Sequence, residues 1–192
     1  MKRWFVVLAV VVMMVLVGCD NKEENSLISP QTESLGSVLQ SNWIVLPSPD
    51  NPSLKKVVSE SKLINGSDES LIEINTGYRG GPFGWVSITA NARFKRNSFK
   101  GFRYVTMSIN DKYAYVDFSP SGSFVKPVIF NMTIMGLDLR KVDESNVKFV
   151  YMASNHDYYP IDYQSLYVEK QSGKIQLINA QLPHFSRYGF TN

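Results

Sequence analysis

The chain of 192 residues contains one cysteine, Cys19, and only two histidines, His156 and His184. A single thiol can form no intramolecular disulfide and no zinc site built from several cysteines, so a folded domain must be stabilised by an ordinary hydrophobic core. The sequence also lacks an HExxH motif, a GxSxG motif, a phosphate-binding loop and an EF-hand loop. We therefore predict no cofactor and no metal site.

Long apolar runs are absent except at the N-terminus, where Trp4 to Val17 follow Lys2 and Arg3. A basic start and a run of this length are typical of a secretory signal, and a membrane-spanning helix needs about 20 apolar residues. The next residues are polar and show no apolar period, which favours a flexible tether. The sequence thus predicts a signal peptide at 1–18, a tether at 19–36 and a folded domain at 37–192.

The chain has little net charge once the predicted signal is removed. The whole sequence carries +3, with 20 basic and 17 acidic residues. Without Lys2 and Arg3, 18 basic residues oppose the 17 acidic ones, a net charge of about +1. The basic character belongs largely to the leader, which argues against a nucleic-acid partner.

Sustained helical periodicity is missing beyond the leader, and β-forming residues recur between short turn signals. This pattern predicts an all-β fold, an antiparallel β-sandwich of about 8–10 strands. In "WVSITANARF" (85–94), alternate apolar residues predict a strand with one buried face. We predict strands at 38–46, 71–75, 85–94, 103–109, 114–118, 128–134, 147–152, 166–169 and 174–178.

Two short segments predict tight turns. "SPSG" (119–122) has proline second and glycine fourth, which is typical of a type I turn. "KQSGK" (170–174) separates two apolar runs and predicts a hairpin with Gly173 at a positive φ angle.

The residues "LVGC" (16–19) resemble the lipobox of bacterial lipoproteins. The resemblance implies cleavage between Gly18 and Cys19, attachment of a diacylglycerol to the Cys19 thiol, and anchoring to a membrane of the cell envelope. Asp20 resembles an inner-membrane retention residue known in enterobacteria. Because that rule does not extend to every phylum, both the inner and the outer membrane stay open.

Two other passages resemble a known domain family. "DFSPSGSFVKPVIFNMTI" (117–134) is similar to the ZU-type β-sandwich domain of tight-junction scaffolds, netrin receptors and ankyrins. "GLDLRKVDESNVKFVYM" (136–152) and "LPHFSRYGF" (182–190) resemble segments of small bacterial lipoproteins with a related domain. The resemblance covers about 58–192 and implies an interaction or structural module without catalytic residues.

Candidate catalytic residues are few. His156 lies beside Asp157, and in "LPHFSRYGF" (182–190) His184, Ser186 and Tyr188 occupy alternate positions, so that one strand face would present all three. A nucleophilic site needs a base within hydrogen-bond reach of the hydroxyl, and residues two apart on one strand face lie about 6.6 Å apart. The alternative interpretation is structural. Hydrogen bonds from His184 and Arg187 would hold the terminal strand against the preceding loop, while Phe185 and Phe190 fill the core.

Tyrosines are densest in "DYYPIDY" (157–163). Flat aromatic faces can bind a sugar or peptide, so Tyr158, Tyr159 and Tyr163, with His184 and Arg187, form a predicted binding surface. Two function hypotheses follow: an envelope lipoprotein that holds a protein or glycan partner, or a small hydrolase or transferase that uses His184 with Ser186 or His156 with Asp157.

Overall fold

The computed structural model describes residues 43–54 and 57–192. The predicted signal peptide and tether, with Gly18 and Cys19, lie outside the described residues, as does most of the predicted strand 38–46. Among the described residues, no helix has the length and apolar character needed to cross a membrane.

The described residues form an all-β antiparallel fold, as predicted. Nine strands fall within the predicted range of 8–10. The strands are β1 Val58–Asn65, β2 Ser70–Arg79, β3 Trp85–Phe94, β4 Phe102–Ile109, β5 Tyr115–Met135, β6 Lys148–Met152, β7 Tyr158–Pro160, β8 Ser165–Glu169 and β9 Lys174–Thr191, with short 3-10 helices at Pro52–Leu54 and Glu144–Asn146.

Two long strands join the layers of the sandwich. The first part of β5 pairs with β4 on one side and with the end of β9 on the other. The end of β9 also pairs with β6, and β6 pairs with β7. The last part of β5 pairs with β3 and with the start of β9, and β2 and β8 lie outside them. Each long strand therefore contributes to both layers.

The type I turn predicted at Ser119–Gly122 is wrong, because the chain runs through it as part of β5. The register between β5 and β9 shifts between Asp117 and Gly122 and again between Ser123 and Val128. Pro120 and Pro127 fall within these two irregularities. Proline has no backbone N–H and is tolerated in a strand where the ladder is interrupted, so the two prolines mark bulges.

The alternation of side chains along the strands determines which residues form the core. In β3, Val86, Ile88, Ala90, Ala92 and Phe94 are all buried, as their period of two predicts. The described core extends from Ile44 to Phe190. A chain that begins at Asp20 keeps every residue of this core and is expected to fold by itself.

The hairpin between β8 and β9 is confirmed. Glu169 pairs with Lys174, and Gly173 has a φ angle of 61°. A Cβ atom at this position would lie 2.3 Å from the carbonyl oxygen of Leu137, so both the backbone angle and the space require glycine.

Candidate functional site

The tyrosines of "DYYPIDY" do not share one surface. Tyr158 and Tyr159 are consecutive in β7, and their side chains contact different rings. The Tyr158 ring lies 5.3 Å from Trp43, whereas the Tyr159 ring stacks on Tyr151 at 5.3 Å. Tyr163 lies beyond the strand, in a polar groove. The predicted binding residues are thus distributed over three places.

Arg187 belongs to a packed cluster on the outer face of the sheet. Its Nε and Nη2 atoms donate to the two carboxylate oxygens of Asp117 at 2.7 and 3.1 Å, and its guanidinium lies 4.3 Å from the Tyr115 ring centre. The hydrogen bond to Asp117 raises the pKa of Arg187. This two-point ion pair links β9 to β5, and Trp43 covers Tyr115 at 5.4 Å.

His184 is held among tyrosines. The Tyr188 hydroxyl donates to the His184 carbonyl oxygen at 2.7 Å and lies 3.0 Å from Nδ1, while the Tyr151 ring lies 4.5 Å from the imidazole. A hydroxyl has one proton to donate, so this network assigns the imidazole proton to Nδ1. Burial lowers the pKa of His184 and raises that of the Tyr188 hydroxyl far above its usual range.

The described residues provide no hydrogen bond between His184 and Ser186. The Ser186 hydroxyl instead donates to the Met152 carbonyl oxygen at 3.4 Å. Phe185 and Phe190 are buried in the core, as the structural alternative predicts. The geometry at His184 is that of a side chain that fixes the end of β9.

The pair of His156 and Asp157 does not form a hydrogen-bonded dyad in the described part of the chain. His156 is exposed at a φ angle of 68°, and the Asp157 carboxylate accepts from the Asn155 amide at 2.6 Å. No group of three metal-ligating side chains occurs among the described residues.

The lowered pKa of His184 predicts a pH-dependent stability. The unfolded chain takes up a proton at this imidazole near pH 6.5, and the folded chain resists doing so. The free energy of unfolding should therefore fall as the pH decreases from about 7.5 to about 5.5. Urea titrations should show that the free energy of unfolding of His184→Gln depends less steeply on pH in this interval. Above about pH 7.5 the pH dependence of the two proteins should be the same. Equal slopes across the acidic interval would contradict the assignment.

A groove of about 540 Å³ crosses the outer face of β3, β5 and β9. It lies where Arg93 of β3, Ile129 of β5 and Gln181 of β9 are neighbours in the sheet. The residues between β7 and β8 border it. Its lining is mostly polar and consists of Arg93, Lys95, Ile129, Asn131, Asp162, Tyr163, Gln164, Asn179 and Gln181.

Side-chain amides form a hydrogen-bonded row along the groove. The Asn131 amide nitrogen donates to Asn91 Oδ1 at 3.0 Å, and Asn131 Oδ1 accepts from the backbone N–H of Asn179 at 2.8 Å. Asn179 Nδ2 then donates to Gln164 Oε1 at 2.6 Å. Asn179 has a φ angle of 53° where the β5–β9 register shifts, so a bulge directs it into the row.

The row leaves hydrogen-bonding groups directed toward the groove. In the described structure, the Gln164 amide nitrogen, the Asn179 side-chain oxygen and the Asp162 carboxylate have no protein hydrogen-bond partner. Tyr163 adds an aromatic ring that is 37% exposed. The groove therefore combines fixed donors and acceptors with one flat apolar surface.

Arg93 contributes a positive charge at the same edge. Its Nε atom lies 4.0 Å from a carboxylate oxygen of Glu69, and both side chains are well exposed. An exposed pair at this distance is weakly held, so the guanidinium can also reach a ligand in the groove.

Sequence reasoning identified Tyr163 but missed Asn131, Gln164, Asn179 and Gln181. Asn91 and Arg93 alternate with the apolar residues of β3 and so belong to its polar face, which was the available signal. The missing information was which strands lie beside that face, because β5 and β9 come from distant parts of the chain.

No protein-family model, curated protein or solved structure matches the chain. The resemblances to bacterial lipoproteins and to ZU-type domains stay predictions, and the function is argued from the residues.

Proposed function

We propose that the chain is a cell-envelope lipoprotein, anchored through Cys19, whose β-sandwich binds a glycan in the groove beside Tyr163. The observation that carries the proposal is the row of side-chain amides next to that exposed ring. The lipobox resemblance supports the anchor, and the groove supports the ligand class.

The chemistry of the groove suits a sugar. Each sugar hydroxyl can donate and accept a hydrogen bond, and an amide side chain offers both functions from one planar group. Asn131, Asn179 and Gln164 are already fixed by hydrogen bonds to one another or to the backbone, so little side-chain freedom is lost on binding. The Tyr163 ring can contact the apolar C–H face of a pyranose.

A glycan with N-acetyl groups fits better than a plain glucan. An acetamido group has its own N–H and C=O, which can pair with the free amide nitrogen of Gln164 and the free side-chain oxygen of Asn179. Arg93 adds a cation for a sugar carboxylate. A protein partner is less well matched, because the centres of protein interfaces are rich in aromatic and aliphatic side chains and this lining has few.

The test uses a tetramer of N-acetylglucosamine as the probe and a glucose tetramer for comparison. The chain that begins at Asp20 should bind the acetamido probe in calorimetry and bind the glucan more weakly. Tyr163→Ala should lower the affinity for the acetamido probe about two- to twelvefold, because a well-placed ring contact is worth about 0.5–1.5 kcal/mol.

Tyr167→Ala is the matched control. Tyr167 of β8 is also an exposed tyrosine and lies only four residues from Tyr163 in the sequence, but it does not line the groove. This variant should bind like the unmodified chain. Equal losses in both variants, or no binding of either probe by a folded chain, would overturn the groove proposal.

A further inference from the structure

Large apolar side chains are exposed at the start of β4. Phe102 is 71% exposed and Tyr104 is 64% exposed, and both belong to the outward face of the strand. Leu63 of β1 lies opposite Tyr104 and is also exposed. Contiguous exposed apolar surface of this kind marks an interaction site more often than scattered single residues do.

The β3–β4 loop and a bulged part of β5 extend this surface. The backbone N–H of Val125 donates to the Ser98 carbonyl at 2.7 Å, and Lys126 Nζ donates to the Arg96 carbonyl at 2.9 Å. Val125 is itself 71% exposed. We call the residues 95–104, with Leu63, Val125 and Lys126, the basic–aromatic end.

The charge of this end has one sign. Its basic residues number five and it contains no acidic residue; they are Lys95, Arg96, Lys100, Arg103 and Lys126. The Arg103 guanidinium lies 4.9 Å from the Phe99 ring centre, which orients it at the base of the exposed patch.

Two acidic residues, Asp68 and Glu69, lie close by in the β1–β2 connection, where the backbone N–H of Gly66 donates to the Gly101 carbonyl. Asp68, in the β1–β2 connection, accepts from the Asn65 amide at 2.9 Å, and Glu69 faces Arg93 at 4.0 Å. The five basic residues outnumber these two carboxylates, so a chain whose predicted mature net charge is about +1 concentrates positive charge at this end.

We propose that the basic–aromatic end docks on an anionic lipid bilayer, so that the folded domain lies against the membrane surface. Exposed aromatic and aliphatic side chains insert at the headgroup level, and lysine and arginine attract acidic headgroups. The basic–aromatic end offers both the exposed apolar side chains and the basic residues, within 95–104 and the adjoining residues of β1 and β5. The inference goes beyond glycan binding, since it concerns a surface that shares only Lys95 with the groove and rests on neither glycan binding nor Cys19.

Sedimentation with vesicles tests the docking. The chain that begins at Asp20 lacks Cys19, so any binding comes from the folded protein. It should sediment with vesicles of phosphatidylcholine containing about one third phosphatidylglycerol, and not with pure phosphatidylcholine. Raising the salt from about 0.1 M to about 0.5 M should release most of it, because the Debye length then shortens to well under 10 Å.

Two variants separate the apolar and electrostatic contributions. Phe102→Ala should lower the vesicle partition coefficient about tenfold or more through lost apolar insertion. Lys100→Glu should weaken binding at low salt by a similar factor and reduce the salt dependence. Tyr167→Ala, which removes an exposed ring elsewhere, should have no effect.

The outcomes that overturn the proposal are distinct. Equal binding to neutral and anionic vesicles, or unchanged binding by Phe102→Ala, would contradict docking by this end. Retention on heparin without vesicle binding would assign the charge to a soluble polyanion and would also overturn it. The glycan probes and the vesicles are separate ligands, so the failure of one proposal can be told apart from the failure of the other.

Discussion

Phe149→Ala is expected to lower the free energy of unfolding by about 3–5 kcal/mol, the usual cost of removing a buried phenylalanine ring. Phe149 is fully buried in β6. Its ring lies 5.9 Å from Phe130, 6.2 Å from Tyr188 and 5.3 Å from Phe190. The cavity left behind would lie among three rings from two neighbouring strands, β5 and β9, and rigid strands cannot close it.

The loss is large compared with the whole stability of a domain, which is typically about 5–15 kcal/mol. Urea unfolding of the chain that begins at Asp20, followed by circular dichroism, measures it. Phe102→Ala is the matched control, because it removes the same ring from an exposed site and should change the free energy of unfolding by about 0.5 kcal/mol or less. Similar losses in the two variants would contradict the assigned burial of Phe149.

Phe102→Ala also tests whether the exposed ring acts on the membrane or on the stability of the domain. If Phe102→Ala leaves folding intact but weakens vesicle binding, the exposed ring acts on a partner and not on the core. An exposed phenylalanine without either effect would have no function at the membrane.

Local patterns predicted the parts of the fold that depend on near neighbours in sequence. The β3 prediction at 85–94 coincides with the strand, because apolar and polar residues alternate there without interruption. The Gly173 hairpin was also predictable, since the turn residues join two strands that pair with each other.

The errors occur where distant segments determine the structure. "SPSG" has turn chemistry, but β9 continues alongside both ends of this segment, and the chain follows its ladder as a bulged strand. β1 was missed because its outward pattern is polar and exposed, and only pairing with β4 makes it a strand. β9 extends to Thr191, well past the predicted end at 178, because β5 and β6 bind its second half.

The candidate groove could not be read from the sequence for the same reason. Asn131 and Asn179 are 48 residues apart and meet only through the β5–β9 register and the bulge at Asn179. Conversely, Tyr158 and Tyr159 are adjacent in sequence and separate in the sheet, since successive side chains of a strand point to opposite faces. Sequence proximity therefore predicted a tyrosine patch that the described structure does not assemble.

Cys19→Ala is expected to abolish lipid attachment completely and to leave residues 1–18 on the chain. The proposed anchor depends on one sulfur atom, because the thiol would form the thioether to diacylglycerol and cleavage would follow between Gly18 and Cys19. Two or three acyl chains anchor a protein durably, at about 0.8 kcal/mol per buried CH₂, whereas the basic–aromatic end is proposed to give only a salt-sensitive contact.

The full chain, expressed in bacteria with an alkyne-bearing palmitate, separates these contributions. The unmodified chain should carry the label and have the mass of a chain beginning at Cys19 with its lipid. Cys19→Ala should carry no label and keep the mass of the leader. Gly18→Ala is the matched control, because it keeps a small residue before the cysteine and should be labelled and cleaved normally. Label on Cys19→Ala, or an unlabelled unmodified chain, would contradict the anchor, and any glycan or vesicle binding would then have to be explained without it.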